Sequence, residues 1–132
     1  MSDYTGYIMK RNAKMAVVDD NELTRGLLVD VLMFCVNRKV LVFENALSAW
    51  NHFEKEGQPD LILSDVNMSE MTGLELLVRI KKKSPKTICV MMSGDRSSEE
   101  MARDLGADAF LAKPFNISDL FQIVQTFVVG DG

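Results

Sequence analysis

No stretch of the 132 residues holds anything near the roughly 20 successive apolar side chains that a membrane-crossing helix needs. Met1 to Asn12 also lacks the apolar core of a secretory signal, so the expectation is a cytoplasmic protein with no membrane insertion. Basic residues are in short supply: 15 Lys and Arg stand against 19 Asp and Glu, a formal charge of −4. Nucleic acid and anionic lipid are held through basic surface, and direct contact with either is not expected. Cysteine is scarce. Cys35 and Cys89 each sit in an apolar segment with no Cys or His at metal-ligand spacing, so they read as buried free thiols of a reducing compartment. The one histidine, His52, has no matching ligand on its helix and is given no catalytic role. Repeats, low-complexity runs and long linkers are missing as well. One domain over residues 13–129 is expected, between a flexible N-terminal segment 1–12 and a tail 130–132.

With 47% hydrophobic and 26% charged residues, the composition is that of a globular domain able to bury a core. Short apolar runs alternate with helical patterns. Strands are predicted over residues 14–19, Lys39 to Phe43, Asp60 to Ser64, Lys86 or Thr87 to Met92, and Asp108 to Ala112. Helices are predicted from Asn21 to Val36, with Leu23, Leu27, Val31 and Leu32 or Cys35 on the apolar face, and from Asn45, as cap, to Glu56. Thr72-Gly-Leu-Glu75 has capping-box spacing and opens a helix bearing Leu74, Leu77 and Val78, which Ser84-Pro85 ends. Ser97-Ser-Glu-Glu100 has the same spacing before a short helix whose apolar face is only Met101, Ala102 and Leu105. That helix is expected to be weakly anchored. The last begins near Asn116 and carries Ile117, Leu120, Phe121, Val124, Phe127 and Val128 in one stripe. Such alternation implies parallel strands joined by right-handed crossovers with helices on both faces, an α/β doubly wound fold, but it leaves the strand order open.

Three charged stations stand at the ends of predicted strands: Asp19-Asp20 after Met15-Ala-Val-Val, Asp65 after Leu61-Ile-Leu-Ser, and Lys113 after Ala109-Phe-Leu-Ala. Ligands of open α/β sheets bind at the carboxyl ends of the strands. Three carboxylates and an ammonium gathered there point to a site for a divalent cation and a phosphoryl group. No G-x-x-x-x-G-K-[ST] phosphate loop is present, which counts against a nucleotide-binding enzyme.

Over about Lys14 to Val129 the chain resembles the CheY-like receiver domain of two-component response regulators. The resemblance rests on Val17-Val-Asp-Asp20, on Asp65 with Asn67-Met68 and Gly73-Leu-Glu-Leu-Leu, and on Met92-Ser93-Gly. Gly106-Ala-Asp-Ala-Phe110 and Lys113-Pro114-Phe115 complete it. It implies a flavodoxin-like (βα)5 fold with a five-stranded parallel sheet in the order 2-1-3-4-5. It also implies Asp65 as phosphoacceptor, Mg²⁺ held by Asp20 directly, Asp19 mainly through water, Asp65 itself and the backbone carbonyl of Asn67, and Ser93 and Lys113 on the phosphoryl oxygens. The donor would be a phosphohistidine on a sensor histidine kinase or histidine phosphotransfer protein. Output would pass to a downstream protein target through a switch at Ser93 and Phe110 and the surface of the fourth helix, fifth strand and last helix. Such a chain is a phosphoacceptor rather than an enzyme, either a single-domain regulator or the receiver portion of a longer protein.

The chemistry accounts for the residue types. Crowded carboxylates repel, and a hard divalent cation with oxygen ligands offsets that repulsion. A carboxylate can then attack phosphorus if the equatorial oxygens are neutralised. Plainer readings exist for each residue taken alone. Asp19 and Asp20 could cap a helix, Asp65 could be a loop acid, Lys113 a salt-bridge partner and Ser93 a turn residue. Their joint order and spacing favour the site. Phe110 fits a core strand residue equally well, and Lys81-Lys-Lys83 reads as a solvated helix end. Ser69 departs from the family's usual proline. Asn67 and Asp95 hold the positions that in the family tune the phosphoryl lifetime. The rival reading is a pseudo-receiver, a protein-binding module independent of phosphorylation.

Overall fold

The computed structural model describes residues 14–36 and 40–129; the expectations for segment 1–12, Lys39 and tail 130–132 fall outside these residues, as do the side chains of Cys35 and Val128. Five strands, β1 (Met15–Val18), β2 (Val40–Phe43), β3 (Leu61–Asp65), β4 (Ile88–Ser93) and β5 (Ala109–Ala112), alternate with five helices. These are α1 (Glu22–Val36), α2 (Ala46–Glu56), α3 (Gly73–Lys83), α4 (Ser98–Asp104) and α5 (Ile117–Val124), the last continuing as a π-helical turn over Gln125–Val129. The strands form one parallel sheet in the order β2-β1-β3-β4-β5. This is the flavodoxin-like order.

The central strands read as unbroken apolar runs because both of their faces are covered. Met15 and Val17 of β1, Leu61 and Leu63 of β3 and Val90 and Met92 of β4 meet Leu28, Leu32, Leu120 and Val124 of α1 and α5. The alternate residues Ala16, Val18, Ile62, Cys89 and Met91 meet Phe53, Leu76, Leu77, Ile80 and Ala102 of α2, α3 and α4. Each large side chain fully buried in these layers stabilises the fold by about 1.5–3 kcal/mol.

Of the three caps expected from the sequence, those at Asn45 and Thr72 form, and Asn116, expected only as the start of the last helix, caps it too. Asn45 Oδ1 accepts from Ser48 N at 2.8 Å, and reciprocal capping boxes form at Thr72 with Glu75 and at Asn116 with Asp119. The Ser97 box does not form. Ser97 already has helical dihedrals, and its hydroxyl turns back to donate to Asp95 Oδ1 at 2.6 Å, so Asp95 organises this turn.

Three helix faces also differ from expectation; on α5, Leu120 and Val124 are buried while Ile117 and Phe121 of the expected stripe are exposed. In α1, Leu23 is 86% exposed and Leu27 exposed as well, while Leu28, Val31 and Leu32 are buried. Apolar residues surround this helix, so its spacing fits more than one face, and packing selects the stripe that meets α5. In α3 the buried residues are Leu76, Leu77 and Ile80, with Val78 exposed to solvent. Only Ala102 of α4 is buried, in keeping with the weak anchoring expected of it.

Lys81 is not a solvated lysine: its Nζ donates to Thr87 O at 2.7 Å and pairs with Asp108 at 2.8 Å. Cys89 is buried, and burial pushes its thiol up to about 12, so it stays protonated.

Candidate functional site

In a parallel sheet every strand ends at the same edge, and the charged stations converge there because each follows its strand without an intervening turn. Asp19 follows β1, Asp65 closes β3, Ser93 closes β4 and Lys113 follows β5. The backbone ladder continues past the strand ends and fixes their levels: Asp19 N donates to Phe43 O at 3.1 Å, Val66 N to Met92 O at 2.8 Å, and Lys113 N to Ser93 O at 2.9 Å.

Asp19, Asp20 and Asp65 each offer a carboxylate oxygen within 4.8 Å of the other two. Asp19 is fully buried, Asp65 is 8% exposed and Asp20 is exposed, so the cluster opens to solvent on the Asp20 side. Lys113 Nζ donates to Asp19 Oδ2 at 2.8 Å and lies 3.7 Å from Asp65 Oδ2. The Lys113-Pro114 peptide bond is cis. Burial raises the pKa of Asp65 above its ordinary value; Lys113 opposes the rise, Asp19 and Asp20 add to it as like charges, and the backbone N–H of Asn67 opposes it. One ammonium against three carboxylates leaves the pocket short of positive charge. Three oxygen donors within reach of one point fit a hard divalent cation such as Mg²⁺.

Ser93 is fully buried, and its Oγ accepts from Asp95 N at 3.0 Å and from Asn67 Nδ2 at 3.5 Å. Five of the residues singled out from the sequence, Asp19, Asp20, Asp65, Ser93 and Lys113, thus lie at one sheet edge. Asn67 joins them through its side chain and its backbone N–H. Phe110 stands apart from the carboxylates, half-buried on β5. It lines a cleft of about 460 Å³ with Arg96, Glu99, Pro114, Asp119 and Gln122.

Two features of the site escaped the sequence reading. Arg25, in the first turns of α1, donates from Nη1 to the backbone carbonyl of Asp19 at 2.9 Å and pins the loop carrying both acids. Its six-residue offset from Asp19 is the only signal, and many surface arginines share it. Gly73, quoted in the motif, packs so closely under Asp65 that a Cβ there would overlap the Asp65 carbonyl oxygen.

The model of the response regulator receiver domain matches residues 15–125. Among curated relatives, the chain is 33% identical to the DNA-binding transcriptional regulator NtrC of Azospirillum brasilense over 86% of its own length, spanning 24% of that protein. It is 31% identical to a CheY homolog of Campylobacter jejuni over 90% of its length, and there it spans 94% of the relative. Among solved structures, CheY4 of Vibrio cholerae superposes with a TM-score of 0.76 at 28% identity, over 88% of this chain and 98% of that one. The receiver domain of NtrX from Brucella abortus gives 0.76 at 29% identity, over 84% and 94%. Sheet order, convergent carboxylates and sequence together assign the chain to the response regulator receiver domains of two-component signalling.

Proposed function

We propose that this receiver domain accepts a phosphoryl group on Asp65 from the phosphohistidine of a sensor histidine kinase or histidine phosphotransfer protein. The observation that carries the reading is the cluster of three carboxylates within 4.8 Å, with Lys113 Nζ between Asp19 and Asp65. In the transfer, an oxygen of the Asp65 carboxylate forms a bond to phosphorus as the P–N bond breaks, and the imidazole leaves with the electron pair. Bound by Asp20, Asp65, the Asn67 carbonyl and, mainly through water, Asp19, Mg²⁺ would supply positive charge for the phosphoryl oxygens. Lys113, already 3.7 Å from Asp65, is within a small side-chain movement of a phosphoryl oxygen. The Ser93 hydroxyl would turn from Asp95 N and Asn67 to donate to another.

Asp65 acts as a carrier, and the chain is a phosphoacceptor with at most slow self-catalysed phosphorylation and dephosphorylation. Moving Ser93 alters the loop that leads into α4. Because α4 buries only Ala102, its placement responds to a small difference in free energy between two states. Phosphorylation then changes the affinity of the α4, β5 and α5 surface around Phe110 for a downstream protein.

The test is incubation with Mg²⁺ and acetyl phosphate followed by intact-mass measurement. Wild type is expected to gain one phosphate and Asp65→Asn none. Wild type that stays unmodified would favour instead a pseudo-receiver, a protein-binding module independent of phosphorylation.

A further inference from the structure

Between α3 and α4 runs an open groove of about 370 Å³ lined by Leu74, Val78, Met101 and Leu105, with Glu75 and Arg79 on its rim. Met101 is 56% exposed and Val78 41%, so this is apolar surface facing water at the centre of a helix pair. Its two banks carry opposite charge. Arg79 and Lys82 of α3 are exposed, as are Glu100 and Asp104 of α4, and of the four Arg79 lines the groove itself. The other charges of these helices are already engaged: Lys81 with Asp108, Lys83 with Glu54, Arg103 with Glu99, and Glu75 in the cap at Thr72. Arg79 lies over the Trp50 ring at 5.8 Å, and Lys82, Glu100 and Asp104 enter no ion pair among the described residues.

We propose that this groove is a contact surface between two copies of the chain, related by a two-fold axis that runs along the groove. The charge pattern selects that axis. Rotation about it exchanges the banks, so Arg79 and Lys82 of one copy face Glu100 and Asp104 of the other, and the same pairing repeats on the far side. Rotation about an axis across the groove would set like charge against like. At the centre, Val78, Met101 and Leu105 of each copy cover those of the other, giving an apolar core inside a charged rim. The contact comes from single faces of two helices of 11 and 7 residues, a small patch beside the roughly 800 Å² per partner of a standard interface. Association is therefore weak, with a dissociation constant of roughly 10–1,000 μM.

The test is sedimentation equilibrium of the whole chain from about 10 μM to 1 mM, a range that brackets this affinity. Three samples are compared: wild type, a basic-bank reversal (Arg79→Glu with Lys82→Glu) and an acidic-bank reversal (Glu100→Lys with Asp104→Lys). Wild type should dimerise reversibly, more weakly at high salt. Each reversal alone should weaken dimerisation about tenfold or more, and an equimolar mixture of the two should restore it, because their altered banks are complementary. Restoration in the mixture also shows that the substituted chains remain folded. Met101→Glu, a single change at an exposed position, should abolish the dimer as well. Wild type monomeric up to the highest concentration, a dimer indifferent to both reversals, or a mixture no more associated than its components would overturn the proposal.

Discussion

A Cβ on Gly73 would lie 2.8 Å from the Asp65 carbonyl carbon and 2.9 Å from Val66 Cα, and both are backbone atoms that cannot swing aside. Gly73 N also donates to Val66 O at 2.8 Å, so α3 starts locked against the loop that leaves β3. Gly73→Ala must therefore push the two apart, and its expected cost is about 2–4 kcal/mol. Denaturant unfolding checks the stability, and Mg²⁺ titration should show weaker binding, since the displaced backbone carries Asp65. In the same loop Glu70 has φ of +63°, a left-handed conformation that costs an ordinary residue about 1–2 kcal/mol. Glu70→Asn keeps a polar side chain that tolerates this region, and a gain of about 0.5 kcal/mol in unfolding free energy is expected. Glycine there would relieve the strain too but would loosen the unfolded chain in return.

At the scale of elements, what the sequence made legible follows from how many packings each pattern permits. The strands were readable because apolar runs of four to six residues bounded by polar turns have few other uses. The exposed faces of α1 and α3 were not. Helix α1 has apolar residues on every side, so the buried stripe is decided by α5 and the sheet rather than by spacing. At α4 the Ser97-x-x-Glu100 spacing competes with an aspartate two residues upstream, and Asp95 Oδ1 takes both the Ser97 hydroxyl at 2.6 Å and its backbone N–H at 3.0 Å. The stronger acceptor wins, and the serine becomes a donor. Asp95→Ala should then lower stability, as loss of a cap does, while Ser97→Ala should leave it nearly unchanged. Hydrogen exchange adds a local readout: α4 amides should exchange faster in Asp95→Ala and almost unchanged in Ser97→Ala.

For the whole molecule, the site was legible because strand ends are the one place where sequence order translates directly into spatial convergence in a parallel sheet. Asp19, Asp65 and Lys113 needed only their strands to be found, Ser93 entered through the family resemblance, and Arg25 and the tight seat of Gly73 depend on distances that no pattern encodes. The convergence has a thermodynamic consequence. Because the folded pKa of Asp65 is raised above its ordinary value of 3.8, the folded chain holds that proton more tightly than the unfolded chain does. Stability of the metal-free protein should therefore fall as pH rises from about 4 through the folded pKa, and level off above it. Asp65→Asn removes the titrating group and much of the repulsion. In thermal melts without metal it should exceed wild type by a few degrees at neutral pH, the size of a change of about 1 kcal/mol, and lose that advantage near pH 4. Mg²⁺ should reverse the ranking. A cation that binds only the folded state adds about 2.7 kcal/mol at a hundred times its dissociation constant, and the variant has lost one of the three clustered carboxylates. Below the folded pKa the proton competes for Asp65, so the Mg²⁺-induced rise in melting temperature should shrink with acidity in wild type. A rise equal in both proteins at every pH would mean that the ion stabilises the chain somewhere other than at the three aspartates.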